Sequence, residues 1–219
     1  MFKAHFPKVT GSNYRILCLG SHCDDIEIGC GGTILRLLAE HSNATVFWVV
    51  LSSTKTRAEE ARRSAESFLQ KAGGKEILIK EFKDGFLPYQ GAEVKSFFEE
   101  MKQRVSPDLI FTHYRHDLHQ DHRFTCELTW NTWRDHLILE YEIPKYDGDF
   151  GSPNFFVELD EALCRDKVRC VVDSFASQRE KHWFSEEIFR AVLRLRGMEC
   201  HSATGYAEAF YSRKLVLGL

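Results

Sequence analysis

Two short stretches concentrate the side chains able to do chemistry. The first is Ser21-His22-Cys23-Asp24-Asp25-Ile26-Glu27, one histidine beside two adjacent aspartates. The second is His113-Tyr114-Arg115-His116-Asp117-Leu118-His119-Gln120-Asp121-His122, with four histidines and two aspartates in ten residues. His22 and Asp25 stand three apart in a turn, so both can face one ion. With a histidine from the second run they make three protein ligands and leave a position for water, the pattern of a catalytic rather than a structural zinc. A ligand at His122 would turn back toward the sheet edge if a helix begins there, with His119 nearby. Water on such an ion is acidified to a pKa of about 7. Asp24, not needed as a ligand, is the candidate to accept its proton. Attack on an amide creates an oxyanion that the metal and a protonated His119 would stabilise. Asp121 or Asp117 is available to fix a histidine's tautomer.

These clusters need elements to hold them. Residues 14–20 form an apolar run that reads as a buried strand, and it delivers the first cluster into a strand-to-helix turn. Leu109-Ile110-Phe111-Thr112 is a later apolar strand entering the second cluster. Between them, 32–41, 56–72 and 91–105 carry the apolar spacing of helices, and 45–52 and 76–82 that of strands. The alternation predicts a Rossmann-like α/β fold, a mostly parallel sheet flanked by helices with right-handed crossovers. Both clusters then fall at carboxyl ends of strands, where open α/β sheets bind ligands. Beyond Asp121 the pattern predicts a helix over 122–133, a strand over 137–146, a loop over 147–154 and a strand over 155–159. Helices over 160–174 and 183–196 and a final strand over 207–217 follow. No repeat or linker divides the chain, so 1–219 reads as a single domain. The glycine run Gly29-Cys30-Gly31-Gly32 is not a dinucleotide fingerprint, because its spacing from the strand is wrong. It suits a helix packed closely on the sheet.

Composition narrows the function classes. The net charge of −3 carries no polyanion signature, so nucleic acid is not an expected partner. No apolar run approaches the roughly 20 residues of a membrane span, so no integral membrane segment is expected. Residues 1–12 lack the apolar stretch of a signal peptide. Seven cysteines, an odd number without a CxxC pair, read as reduced thiols. Together these features predict a cytoplasmic protein.

The two motifs, taken with their strands, resemble the PIG-L/LmbE family of zinc-dependent N-deacetylases, whose signatures are Ala-His-Pro-Asp-Asp-Glu-like and His-x-Asp-His. The resemblance extends along most of the chain. Arg57 and Glu60 match an Arg-x-x-Glu at the second helix, residues 107–113 the strand before the second motif, and Ser177-Gln178 a later Ser-Gln pair. It implies His22, Asp25 and His122 as zinc ligands, Asp24 as general base, and His119 as electrophilic histidine oriented by Asp121. It also implies Arg57 and Glu60 as substrate-binding residues. Cys23 and Ser21 replace the usual Pro and Ala. Cys23 would place a soft, oxidisable thiol near the metal. The implied substrate is an N-acetylated amino sugar within a small molecule or glycoconjugate, and the implied assembly a homo-oligomer. His₂Asp also accepts Fe²⁺ or cobalt. The competing readings are a nucleotide-binding module without hydrolysis, which has no use for His-Gln-Asp-His, and a metal-dependent esterase.

Overall fold

The computed structural model describes Lys3 and residues 13–216. The reading of residues 1–12, Lys3 aside, and the expected strand's last residue, Leu217, lie outside the described residues. One sheet is built from β1 (Arg15–Gly20), β2 (Thr45–Ser52), β3 (Gly74–Phe82), β4 (Leu109–His113), β5 (Leu137–Tyr141), β6 (Phe155–Leu159) and β7 (Tyr206–Ser212). Their spatial order is β3-β2-β1-β4-β5-β7-β6. β1 to β5 are parallel, and β7 runs antiparallel to both β5 and β6. The helices are α1 (Asp25–Glu40), α2 (Lys55–Phe68), α3 (Gly91–Arg104), α4 (Gln120–Thr132), α5 (Glu161–Ser174) and α6 (Glu186–Glu199).

The central strands are buried on both faces, which is why they read as unbroken apolar runs. Ile16, Cys18, Val46, Trp48 and Val50 point into one core, which α1, α2, α5 and α6 cover. Leu17, Leu19, Phe47, Val49 and Ile110 point into the other, under α3 and α4. The chain leaves β1 for β2 on one side, while β4 pairs with β1 on the other. The strand order therefore switches between β1 and β4, and the crevice at their carboxyl ends receives both histidine-bearing stretches.

Several boundaries differ from the sequence reading. α1 begins at Asp25, not Gly32, and carries its glycines inside the helix. Close packing is the reason. A Cβ on Gly29 would sit 2.2 Å from Tyr141 Cδ2, one on Gly31 2.6 Å from Phe68 Cε1, and one on Gly32 2.5 Å from Leu159 Cδ1. α1 is further fixed by Glu208, which accepts from the backbone N–H groups of Gly32 (2.8 Å) and Thr33 (2.6 Å). Lys167 ion-pairs with Glu208 and donates to the Ile28 carbonyl at 2.6 Å. The strand expected to run to residue 146 stops at Tyr141, because Glu142 turns aside to Arg196 and Tyr211. The last helix starts at Glu186, where the Ser185 hydroxyl caps the Ile188 N–H. The final strand ends at Ser212. No helix among the described residues is long and apolar enough to cross a membrane.

Candidate active site

The turn after β1 is tied down from three directions. The Ser21 N–H donates to His113 Nε2 (3.0 Å), its hydroxyl lies 2.8 Å from that of Thr125, and its carbonyl accepts from the Ser52 N–H (2.9 Å). Small Ser21 fits this crowded junction. Asp24 occupies the N-cap position of α1, and Asp25 lies in its first turn, where the helix dipole favours negative charge. The His22 N–H donates back to Asp25 Oδ2 at 2.6 Å.

α4 brings the second run to the same place. His22 Nδ1 lies 3.1 Å from His122 Nε2 and 3.3 Å from Asp25 Oδ2, and His122 Nε2 lies 3.6 Å from Asp25 Oδ1. Ligands held about 2.0–2.1 Å from a tetrahedral ion are separated from each other by roughly 3.3–3.4 Å. The spacings, with one histidine facing each oxygen of Asp25, lie within about 0.3 Å of that value, so the three side chains can close on a divalent cation. The far nitrogen of His122 is paired with a carboxylate, whereas that of His22 has two carboxylates nearby but no hydrogen-bond partner among the described residues. Asp117 Oδ2 is 2.9 Å from His122 Nδ1, while Asp84 Oδ1 and Asp121 Oδ2 lie 3.1 and 3.5 Å from His22 Nε2. The Asp117 contact fixes the tautomer in which His122 Nε2 is free to bind metal.

The charges follow from these neighbours. Burial works against ionised Asp25, yet His122, His113 and His22 hold its pKa well below the usual carboxylate range. Burial raises Asp24, only partly offset by Arg57, whose Nη2 donates to Asp24 Oδ1 at 2.7 Å; Asp25 adds to the rise. A carboxylate whose pKa is lifted in this way suits a general base. Burial opposes protonation of His22, but Asp25, Asp121 and Asp84 raise its pKa well above the ordinary value, so a cation held by Nδ1 would displace a proton from it. Burial and His113 bring His122 down to about 3, leaving a neutral ring.

Each expected residue has a definite place. His119 stands edge-on to His22 with ring centroids 4.8 Å apart. Its Nδ1 accepts the Asp121 backbone N–H at 3.2 Å, which leaves Nε2 to carry the proton. Burial and His22 lower its pKa, so His119 is a neutral donor and not the protonated one expected. The Asp121 carboxylate does not touch His119: it accepts from the N–H groups of Gly85 (2.8 Å) and Leu87 (3.2 Å), which leaves it facing His22. Arg57 reaches the site through Asp24, and its buried Nε has no protein partner. Glu60, expected at the substrate, is spent elsewhere. It is buried, and its two oxygens accept from the backbone N–H (3.0 Å) and hydroxyl (2.6 Å) of Ser177, pinning α2 to the 176–178 turn. Cys23 is no soft ligand. It is fully buried, its thiol points at the Ser52 carbonyl (3.5 Å), and burial pushes its pKa up to about 12.

Sequence reasoning undervalued His113 and did not single out Asp84. His113 is buried, lies 3.1 Å from Asp25 Oδ2 and stacks on His122. Its position at the end of β4 was the available signal. Asp84 lies in the turn after β3, far from either motif, and nothing in its surroundings marks it. His116 is exposed and packs against Tyr114, away from the other histidines.

Residues 17–133 match the model of the family described as PIG-L, GlcNAc-PI de-N-acetylase. The chain belongs to the PIG-L family. Solved structures share its fold across nearly its whole length. N,N'-diacetylchitobiose deacetylase from Pyrococcus horikoshii, complexed with its inhibitor MPG, is 21% identical over 90% of this chain and 83% of its own, with a TM-score of 0.72. A triple mutant of a deacetylase of the teicoplanin biosynthetic pathway is 16% identical over 90% and 97%, with a TM-score of 0.70. GalB, the 4-carboxy-2-hydroxymuconate hydratase of Pseudomonas putida KT2440, is 18% identical over 94% and 98%, with a TM-score of 0.74. At these identities the likeness speaks for the fold, and the PIG-L match over both motifs speaks for a metal-dependent N-deacetylase, a hydrolase of amide bonds.

Proposed function

We propose that this PIG-L protein removes the acetyl group from an N-acetylated amino sugar carried by a small molecule or glycoconjugate. The carrying observation is the convergence of His22 Nδ1, His122 Nε2 and the Asp25 carboxylate within 3.1–3.6 Å of one another, beside Asp24, which Arg57 holds outside the ligand set. His22, Asp25 and His122 would hold the metal, taken here as zinc. When bound, a divalent ion polarises the amide carbonyl and acidifies water.

The chain's own residues supply the rest. Asp24 accepts a proton from the attacking water, with Arg57 holding its carboxylate in place. His119 donates its Nε2–H to the oxyanion formed at the amide carbon. Asp24 then returns the proton to the amine nitrogen as the C–N bond breaks, releasing acetate and the free amino sugar. Asp117 keeps His122 oriented through its Nδ1, and Asp121 with Asp84 place negative charge beside His22 Nε2. The unpartnered Arg57 Nε is available to a sugar hydroxyl. Homo-oligomeric assembly, a cytoplasmic location and the absence of a nucleic-acid partner belong to the same reading.

The test pairs elemental analysis with acetate release from a panel of N-acetylamino sugar conjugates. The wild type is expected to carry about one zinc per chain and to release acetate. Asp24→Ala should keep the metal and lose turnover by roughly 10²–10⁴-fold. Absence of metal after reconstitution would sink the mechanism. Hydration of an unsaturated acid without acetate release would point instead to chemistry like that named for GalB.

A further inference from the structure

His122 is also reached from a loop that neither motif includes. The chain between β5 and β6 carries Lys145, whose side chain is 9% exposed. Lys145 Nζ donates to Asp117 Oδ2 (2.9 Å) and to both oxygens of Asp149 (2.7 and 2.6 Å). Asp117 is the carboxylate on His122 Nδ1, and its Oδ1 accepts the His119 N–H at 2.8 Å. Asp149 Oδ2 accepts the Leu118 N–H at 2.7 Å. One ammonium thus joins the 142–154 loop to the segment carrying the second motif.

We infer that Lys145 is a positioning residue that, through Asp117, couples the seating of the 142–154 loop to the orientation of His122. The inference rests on the metal-centre reading above. Asp117 and Asp149 are both almost fully enclosed, with side chains 2% and 6% exposed. The Lys145 ammonium bridges these two carboxylates, and it is the contact that draws them together. Without Lys145 they lose that bridge and must separate or rotate. Either movement loosens Asp117 from His122 Nδ1 and releases the loop from residues 117–119. Partners on the far nitrogen of a metal-binding histidine typically contribute 10–100-fold in metal affinity or activity. By linkage, a loop that holds His122 in its binding orientation must itself be held more firmly once metal is bound.

The experiment measures the zinc dissociation constant by competition with a chromophoric chelator, and amide hydrogen exchange over 142–154 with and without zinc. Full-length wild type, Lys145→Met, Lys145→Arg, Asp149→Asn and Tyr146→Ala are compared. In the wild type, zinc should slow exchange in the loop. Lys145→Met should bind zinc roughly 10- to 100-fold more weakly and lose that response; Lys145→Arg, which keeps the charge, should recover part of both. Asp149→Asn, which leaves Lys145 on Asp117, should show a smaller loss and serves if the Met variant does not fold. Tyr146→Ala, at an exposed position of the same loop, should match the wild type. Wild-type affinity and wild-type zinc protection in Lys145→Met, or in Asp149→Asn if only that variant folds, would overturn the inference even if melting temperature fell. A wild type that takes up no zinc would instead overturn the metal-centre reading, and the inference with it.

Discussion

Replacing Gly29 by alanine tests how closely α1 must approach the sheet for the site to form. The new Cβ would lie 2.2 Å from Tyr141 Cδ2 and 2.5 Å from Cγ, against an ordinary contact of at least 3.4 Å, so ring or helix must yield by about 1.2 Å. The ring cannot swing away. Tyr141 is fully buried in β5, and its hydroxyl donates to the Leu19 carbonyl at 2.6 Å. Overpacking a filled core costs about 1–3 kcal/mol, and straining that hydrogen bond adds about 1 kcal/mol. Removing a glycine from a helix interior returns about 1 kcal/mol. The net expectation is a loss of about 1–3 kcal/mol. At about 2–4 °C per kcal/mol for a chain of this size, melting should fall by roughly 2–12 °C. α1 also begins with Asp25 and follows Asp24, so a displacement near 1 Å should lower turnover by about 10²-fold. Thermal unfolding and acetate release read the two effects. Gly91→Ala is the control, since Gly91 is already helical and its Cβ would meet Phe124 at an ordinary 3.4 Å. A Gly29→Ala protein as stable and active as the wild type would refute the reasoning.

Arg57→Met should move the acidic limb of the kcat/KM profile to higher pH. Arg57 favours the ionised form of Asp24, so its loss raises a carboxyl pKa already lifted by burial, and more acid conditions leave less free base. A limb that stays put or moves down would count against Asp24 as the base. Lys167→Met should destabilise the fold by about 3–5 kcal/mol, because it leaves Glu208 buried without its cation. Adding Glu208→Gln should recover part of that loss, because it removes the unpaired charge, while its single amide oxygen can accept from only one of the Gly32 and Thr33 N–H groups; denaturant unfolding of the single and double variants decides it.

The sequence by itself determined a good deal here, for local reasons. Continuous apolar runs at β1, β2 and β4 announced buried parallel strands, and the alternation with helices implied a doubly wound sheet. Because such a sheet presents its strand ends along one edge, the sequence also implied that two stretches about ninety residues apart would meet. Tertiary structure decided what spacing along the chain does not encode. α1 starts seven residues early because its glycines answer to Tyr141, Phe68 and Leu159, contacts made by distant elements. Glu60 and Arg57 are three apart on one helix, yet one is drawn to Ser177 and the other to Asp24. The charged groups around the histidines, Asp84 from the turn after β3 and Lys145 through Asp117, have no local pattern. Their roles arise only when the fold brings loops from different strands around the same two rings.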